Sequence, residues 1–189
     1  MDALDLLIAD HNRVRGLFSR FQAADTSGAA EAQRLAVTIF DELTVHTRIE
    51  EDVFYPPVSD CNDEIHDLVA EGVEEHHVVE MLIEEAKGLE PSDDAWAAKV
   101  KVIIENVEHH AQEEEEELFP MVRKALDAAA RLALGDQLEV MKGKLGASTV
   151  ADKAHFSTEE LIKLAQEQHI PGRSSMKRDE LLATVAPPG

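Results

Sequence analysis

The chain has one cysteine, Cys61, in 189 residues, so no internal disulfide holds it together. Aromatic residues make up 4% of it, with a single tryptophan and a single tyrosine, and β-branched runs are short; both scarcities disfavour strands. No apolar run approaches the roughly 20 residues that a membrane-spanning helix needs. Basic residues are outnumbered, 18 Lys+Arg against 39 Asp+Glu, for a formal net charge of −21. That charge opposes general nucleic-acid binding and docking on an anionic membrane. Met1-Asp2-Ala3-Leu4-Asp5 lacks the basic stretch of a secretory leader. The expectation is a soluble, cytoplasmic protein with no membrane partner.

What the chain does have is alanine, leucine and a helical rhythm. It is 44% apolar, enough for the core of one medium domain. Leu4, Leu7, Ile8, His11, Val14, Leu17, Phe18 and Phe21 recur at spacings of three and four, which predicts a first helix from about Asp2 to Ala23. Asp25-Thr26-Ser27-Gly28 breaks the pattern. A second helix, about Ala29 to Phe54, carries the seam Ile39, Leu43, His46, Glu50, Val53, and Pro56-Pro57 is expected to end it. The third, about Asp63 to Lys87, carries Val69, Val73, His76, Val79, Leu82, Ile83 and Ala86. The fourth, about Asp93 to Phe119, carries Val100, Ile103, Val107, His110, Glu114 and Leu118, with Ser92, Asp93 and Asp94 as its cap. Pro120 reads as a kink, because Met121 to Leu134 stay helical in composition. Gly135 is expected to set off a short amphipathic stretch, Asp136 to Leu145, lying across one end of the bundle.

The chain repeats itself. His46 to Pro56 returns 64 residues later as His110 to Pro120; each copy reads His, three residues, Glu, then an aromatic and a proline. The third-helix stripe maps onto the first at an offset of 65, pairing His76 with His11. The fold class is therefore all-α: two helix pairs in an up-down-up-down four-helix bundle, with short extra helices and a small helical C-terminal appendage. Each pair contributes one His and one His-plus-Glu. His46 and Glu50, like His110 and Glu114, stand at i and i+4 on one helix face.

Four histidines and two glutamates thus interrupt four apolar stripes at matched depth. An unpaired buried polar group costs on the order of 1–3 kcal/mol, a buried charge more, and facing carboxylates repel. A pair of divalent or trivalent cations removes these costs together. Imidazole with carboxylate suits Fe, Mn or Zn, and two carboxylates able to bridge suit a pair of irons. Such a pair, joined by an oxygen bridge (oxo or hydroxo), still leaves coordination positions for an outside ligand.

The order His, His-xxx-Glu, His, His-xxx-Glu over residues 1–145 resembles the hemerythrin-like (HHE cation-binding) family. The resemblance implies a cofactor of two non-haem irons. Carried over by position, the metal ligands are His11, His46, Glu50, His76, His110 and Glu114. The adjacent His77 and His109 are alternatives to His76 and His110. Glu80 stands where oxygen-carrying hemerythrins have a further His, a departure that weighs against reversible oxygen carriage; Glu80 is itself a candidate ligand, with a solvated helix face as its plainer reading. Tyr55, whose repeat mate is Phe119, is an additional candidate ligand; its plainer role is packing at a helix end. Apart from Glu114, the Glu113 to Glu117 run reads as a solvated helix face, with an acidic iron-entry patch as the alternative, and His66 and Cys61 fall outside the set. The expected small ligand is hydrogen peroxide, oxygen or nitric oxide: an enzyme decomposing peroxide in a catalase-like way, or a module binding or sensing oxygen or nitric oxide. A ferritin-type iron store is disfavoured, since only Glu74-xx-His77 matches its Glu-xx-His pairs.

After residue 147 the charge changes: residues 1–147 hold 13 Lys+Arg and 33 Asp+Glu, the remainder 5 and 6. Residues 146–155 read as a linker. Residues 156–189, with helices at about Thr158 to Gln168 and Lys177 to Val185, resemble the small helical module at the N-terminus of transcription terminator Rho. Arg173, Lys177 and Arg178 are their one basic cluster, too few for strong phosphate binding, so a protein partner is expected in preference to nucleic acid. The two resemblances together imply an actinobacterial, mycobacterial type.

Overall fold

The computed structural model describes residues 1–24, 29–146, 157–168, 170–173 and 175–185. The expected break at 25–28 and residues 147–155 of the expected linker lie outside the described residues. Four long helices make the bundle: α1 (Ala3–Ala24), α2 (Ala29–Ile49), α4 (Asp63–Lys87) and α5 (Asp94–Glu113). Between and after them come α3 (Tyr55–Ser59), α6 (Phe119–Ala125) and α7 (Ala128–Lys144). Two helices follow in the appendage, α8 (Thr158–Glu167) and α9 (Arg178–Thr184).

The buried side chains fall into two large apolar clusters. One gathers Phe18, Phe21, Ile39, Leu43, Ile83, Trp96 and Ile103. The other gathers Leu4, Leu7, Ile49, Phe54, Val69 and Leu118. Along α1 the chain passes from the second cluster to the first, along α2 it returns, and α4 and α5 repeat the circuit. That is up-down-up-down. Between the clusters, in every long helix, comes a polar interruption: His11, His46 with Glu50, His76, and His110 with Glu114, all buried.

Three expectations need correction. The prolines do not end the second helix. A π-helical turn, Glu50–Phe54, follows α2, and α3 carries Pro56 and Pro57 in its first turn. A proline has no N–H to give and crowds the carbonyl four residues back. The wide turn closes on Tyr55 N–H to Glu50 O, just ahead of the proline, and the chain continues helical. The same turn recurs at Glu114–Leu118, closing on Phe119 N–H to Glu114 O ahead of Pro120. One consequence is that Phe54 and Tyr55, rather than Val53, are buried after Glu50. Val73 is exposed, and its expected place on the core face belongs to Gly72.

The third correction concerns Gly135. It does not separate two segments but lies inside α7, which starts at Ala128 with the Asp127 side chain accepting from Ala130 N–H. Gly135 is there for space: a Cβ on it would stand 2.0 Å from Met1 O. The N-terminus of α1 presses onto it, so α7 runs along α1 and the first π turn and not merely across an end.

The appendage has its own small core of Leu161, Ala165, Ile170, Leu181, Leu182 and Val185. The Ser157 hydroxyl caps α8, with Glu160 reaching back in a capping box. The unit packs on α1, where Gly16 leaves room for Gln168 O and Ile170.

Gly135→Ala tests the close approach. Alanine is the better helix former by about 1 kcal/mol. Overpacking against the Met1 backbone should nevertheless make the variant less stable, by about 1–3 kcal/mol in urea denaturation. Equal or greater stability would show that the N-terminus yields freely.

Candidate metal centre

Each half of the bundle brings two imidazoles together edge-on, with interplanar angles of 70° and 64°. His11 Nε2 lies 3.1 Å from His46 Nε2, and His76 Nε2 lies 3.0 Å from His110 Nε2. Two nitrogens bonded to one metal at about 2.1 Å, at right angles, stand about 3 Å apart. The two glutamates join the pairs. Glu50 Oε2 is 3.3 Å from Nε2 of both His46 and His76. Glu114 Oε2 is 3.3 Å from His11 Nε2 and 3.8 Å from His110 Nε2. Each carboxylate therefore reaches one histidine of each half, which is the placement of a bridging ligand. Donor atoms of His11, His46, Glu50 and Glu114 gather within 4.8 Å of one another, and so do those of Glu50, His76 and His110.

Three of the four histidines are held from behind. His11 Nδ1 is 2.8 Å from Glu115 Oε1, His76 Nδ1 is 2.9 Å from Glu51 Oε1, and His110 Nδ1 is 2.7 Å from Glu75 Oε2. Asp10 Oδ2 stands behind His46 at 3.8 Å, beyond hydrogen-bond reach. The buried Lys142 ammonium donates to Asp10 Oδ1. A carboxylate behind a ligating imidazole sets its tautomer and raises its basicity.

These four carboxylates lie outside the candidate ligand set expected from the sequence, and Glu115 belongs to the run assigned there to a solvated face. That assignment is corrected. The signal was available in the repeat: Glu51 and Glu115 each follow a candidate ligand glutamate, and Asp10 and Glu75 each precede a lone histidine. His76 and His110 are buried in the centre, whereas His77, His109 and Glu80 are exposed.

Tyr55 is buried beside the centre. Its hydroxyl donates to Glu114 Oε1 at 3.0 Å, and its ring stacks on His76. Phe119, its repeat mate, stacks on His11 and has no hydroxyl to offer Glu50. Glu50 Oε1 and Oε2, Glu114 Oε2 and His46 Nδ1 are accordingly buried without a hydrogen-bond partner.

Without a cation, this arrangement forces unlike protonation states on like residues. Burial, then the Glu114 charge, pushes the Glu50 carboxyl well above its ordinary range. Burial also opposes ionisation of Glu114, but the bond to His11 and the nearby His110 outweigh it and hold Glu114 low. Burial pulls His46 down to about 4. For His11 burial is overridden by Glu114 and Glu115, which raise it to about 9. Two carboxylates this close resist ionising together.

The model of the hemerythrin HHE cation-binding domain matches residues 2–122. The chain belongs to that family. This hemerythrin-type chain is also 27% identical over 145 residues to a protein named DNA nickase from Nostoc sp. (strain PCC 7120 / SAG 25.82 / UTEX 2576). The match takes in 77% of this chain and 40% of the relative, so the chain spans about 40% of that protein's length. No solved structure gives a significant match. The residues present fit the cation binding that the family name carries. The orphaned oxygens of Glu50 and Glu114 are what a metal would satisfy, and the paired Nε2 atoms are spaced to share one. No helix among the described residues of this hemerythrin-type chain is long and apolar enough to cross a membrane.

Removing the carboxylates behind the histidines should cost metal affinity while leaving the helices intact. Glu51→Gln and Glu115→Gln are each expected to bind metal about 10–100-fold more weakly, read by chelator competition. Wild-type affinity in both would return Glu115 to the solvated face.

Proposed function

We propose that this is a non-haem di-iron protein that reacts with hydrogen peroxide or related oxygen species. In this reading it decomposes peroxide in a catalase-like way, in oxidative-stress defence or iron homeostasis, in the cytoplasm. The observation that supports it is the doubled donor set, with two imidazoles in each half and two carboxylates each reaching both pairs. His11 and His46 would hold one iron, His76 and His110 the other, with Glu50 and Glu114 across both. Protein donors alone do not fill two six-coordinate irons, which leaves a place for a small ligand. Irons bound there supply paired one-electron changes, which suits a reaction in which one peroxide is reduced to water while another is oxidised to oxygen. The ring faces of Phe119 and Tyr55 wall off the centre from the apolar side. The Tyr55 hydroxyl sets the orientation of Glu114, and a bound cation would favour its phenolate as a further ligand.

A second reading, oxygen or nitric oxide binding and sensing without turnover, is favoured by one contact. The helix that carries His11 also carries Gly16, against which Ile170 of the appendage packs. The appendage would then report the state of the centre to a protein partner. Its likeness to the Rho module and the actinobacterial type of the whole belong to this proposal. The nicking activity in the Nostoc relative's name is not carried over, because a net charge of −21 opposes a phosphate backbone.

Metal analysis of the purified chain and oxygen release on adding peroxide decide between these readings. Two irons per chain with gas evolution is the expected result. Two irons with no gas, but a reversible optical change under oxygen or nitric oxide, favours sensing. A chain that takes up no iron under reducing, oxygen-free loading sinks both. Tyr55→Phe should abolish any phenolate-to-iron absorption band; an unchanged spectrum leaves Tyr55 as a hydrogen-bond donor only.

A further inference from the structure

The two halves of the centre share their donors but not their surroundings. Behind His46, Asp10 meets the buried ammonium of Lys142, supplied by α7. Leu6 and Ile49, in the apolar cluster at this end of the bundle, are both fully buried. The repeat places Glu71, Glu75 and Glu113 where the first half has Leu6, Asp10 and Ile49, and His109 where it has Val45. So one half neutralises its backing carboxylate with its own lysine. The other turns Glu75 toward Glu113 and His109 at the surface, and no lysine or arginine among the described residues forms an ion pair with either glutamate.

His109 Nε2 lies 3.4 Å from Glu113 Oε1 and 3.9 Å from Glu75 Oε1, and one donor from each of the three residues falls within 4.8 Å of the others. Metal bonds of about 2.0–2.2 Å set donors roughly 3–4 Å apart, so these three can close on one ion with small rotations. Glu75 keeps its other oxygen on His110.

An independent feature leads inward from this cluster. A cavity of about 20 Å³, room for about one water, is lined by Glu75 and Glu113 on the outside and by His110 and Glu114 on the inside. Glu114, 3% exposed and with no hydrogen-bond partner for Oε2, is one of the residues lining it. Gly72 lines the same cavity and has no side chain to fill it; a Cβ there would crowd the Tyr55 hydroxyl at 3.0 Å and His110 Cε1 at 3.4 Å. Its repeat mate, Leu7, is fully buried and fills the corresponding place in the other half.

We propose that Glu75, His109 and Glu113 form a peripheral site for a divalent cation, and that metal reaches the buried centre from it, past Gly72. Imidazole and carboxylate donors select the class of Fe(II), Mn(II) and Zn(II). The proposal rests on the di-metal reading of the buried centre.

The test uses the full, metal-free chain with Mn(II) as probe. Equilibrium titration is followed by the loss of the free-ion electron paramagnetic resonance signal, and loading is followed in time by the same signal. The wild type should bind three ions, two tightly and one weakly. The double variant His109→Ala with Glu113→Gln should keep the tight pair, lose the weak site and load about ten-fold more slowly. Gly72→Ala should keep all three sites and load more slowly. Should the double variant fail to fold, as judged by circular dichroism, Glu113→Gln alone carries the comparison. Two ions at equal rates in wild type and variant overturn the peripheral site while leaving the buried centre standing. Loading at the wild-type rate in every variant overturns the entry route, and a third ion that persists in the double variant overturns the peripheral site. A wild type with no tight pair removes the di-metal reading, and this proposal with it.

Discussion

Six ionisable side chains are buried in one layer between two apolar clusters, and the rest of the bundle is arranged so that this layer can exist. Desolvating a carboxylate costs several kcal/mol even after relaxation. A domain's whole margin of stability is about 5–15 kcal/mol. Glu50 has no hydrogen-bond partner for either oxygen and Glu114 has none for Oε2, so the protein cannot balance the layer from its own donors. Bound metal cations could, and their binding would then be part of what holds the helices in register. The apolar clusters above and below contribute a second constraint. They fix where each helix face turns inward, so four histidines arrive at one depth without a connecting loop to guide them.

The π turns show how a local defect serves this layer. Wide turns of this kind recur at functional sites. Here each begins at a candidate bridging glutamate and ends against a proline-bearing helix start. The proline makes an ordinary turn unfavourable, and the wide turn admits it and aims an aromatic ring at a histidine. The two rings differ by one hydroxyl, and that difference alone satisfies one oxygen of Glu114 while leaving Glu50 bare.

Around this near-twofold centre the surroundings are asymmetric. The seventh helix buries a lysine behind Asp10, whereas the equivalent Glu75 faces solvent with other acids. A duplicated sequence can keep its donors while its two halves diverge in what surrounds them. Here the divergence follows from packing one extra helix on one side only. The side left uncovered is also the one with a glycine, a cavity and exposed ligand-type residues.

The helices, their order and the six inward polar residues were legible because periodicity reports faces, and a repeat reports which faces are equivalent. Residues 46 to 56 and 110 to 120 establish that pairing from the sequence alone. The backing carboxylates were present in the same repeat but hidden. A glutamate beside a ligand looks like any exposed charge until the opposite helix brings a histidine to it. Pro56 and Gly135 misled for a related reason: each is a helix breaker by local propensity, and tertiary context overrode it, once by widening a turn and once by pressing a chain terminus into the gap. The sequence by itself thus determined which side chains point inward, since that depends on spacing within one helix. Only the tertiary structure decided which atoms meet across helices, because such distances depend on packing between segments that the spacing along one chain does not encode.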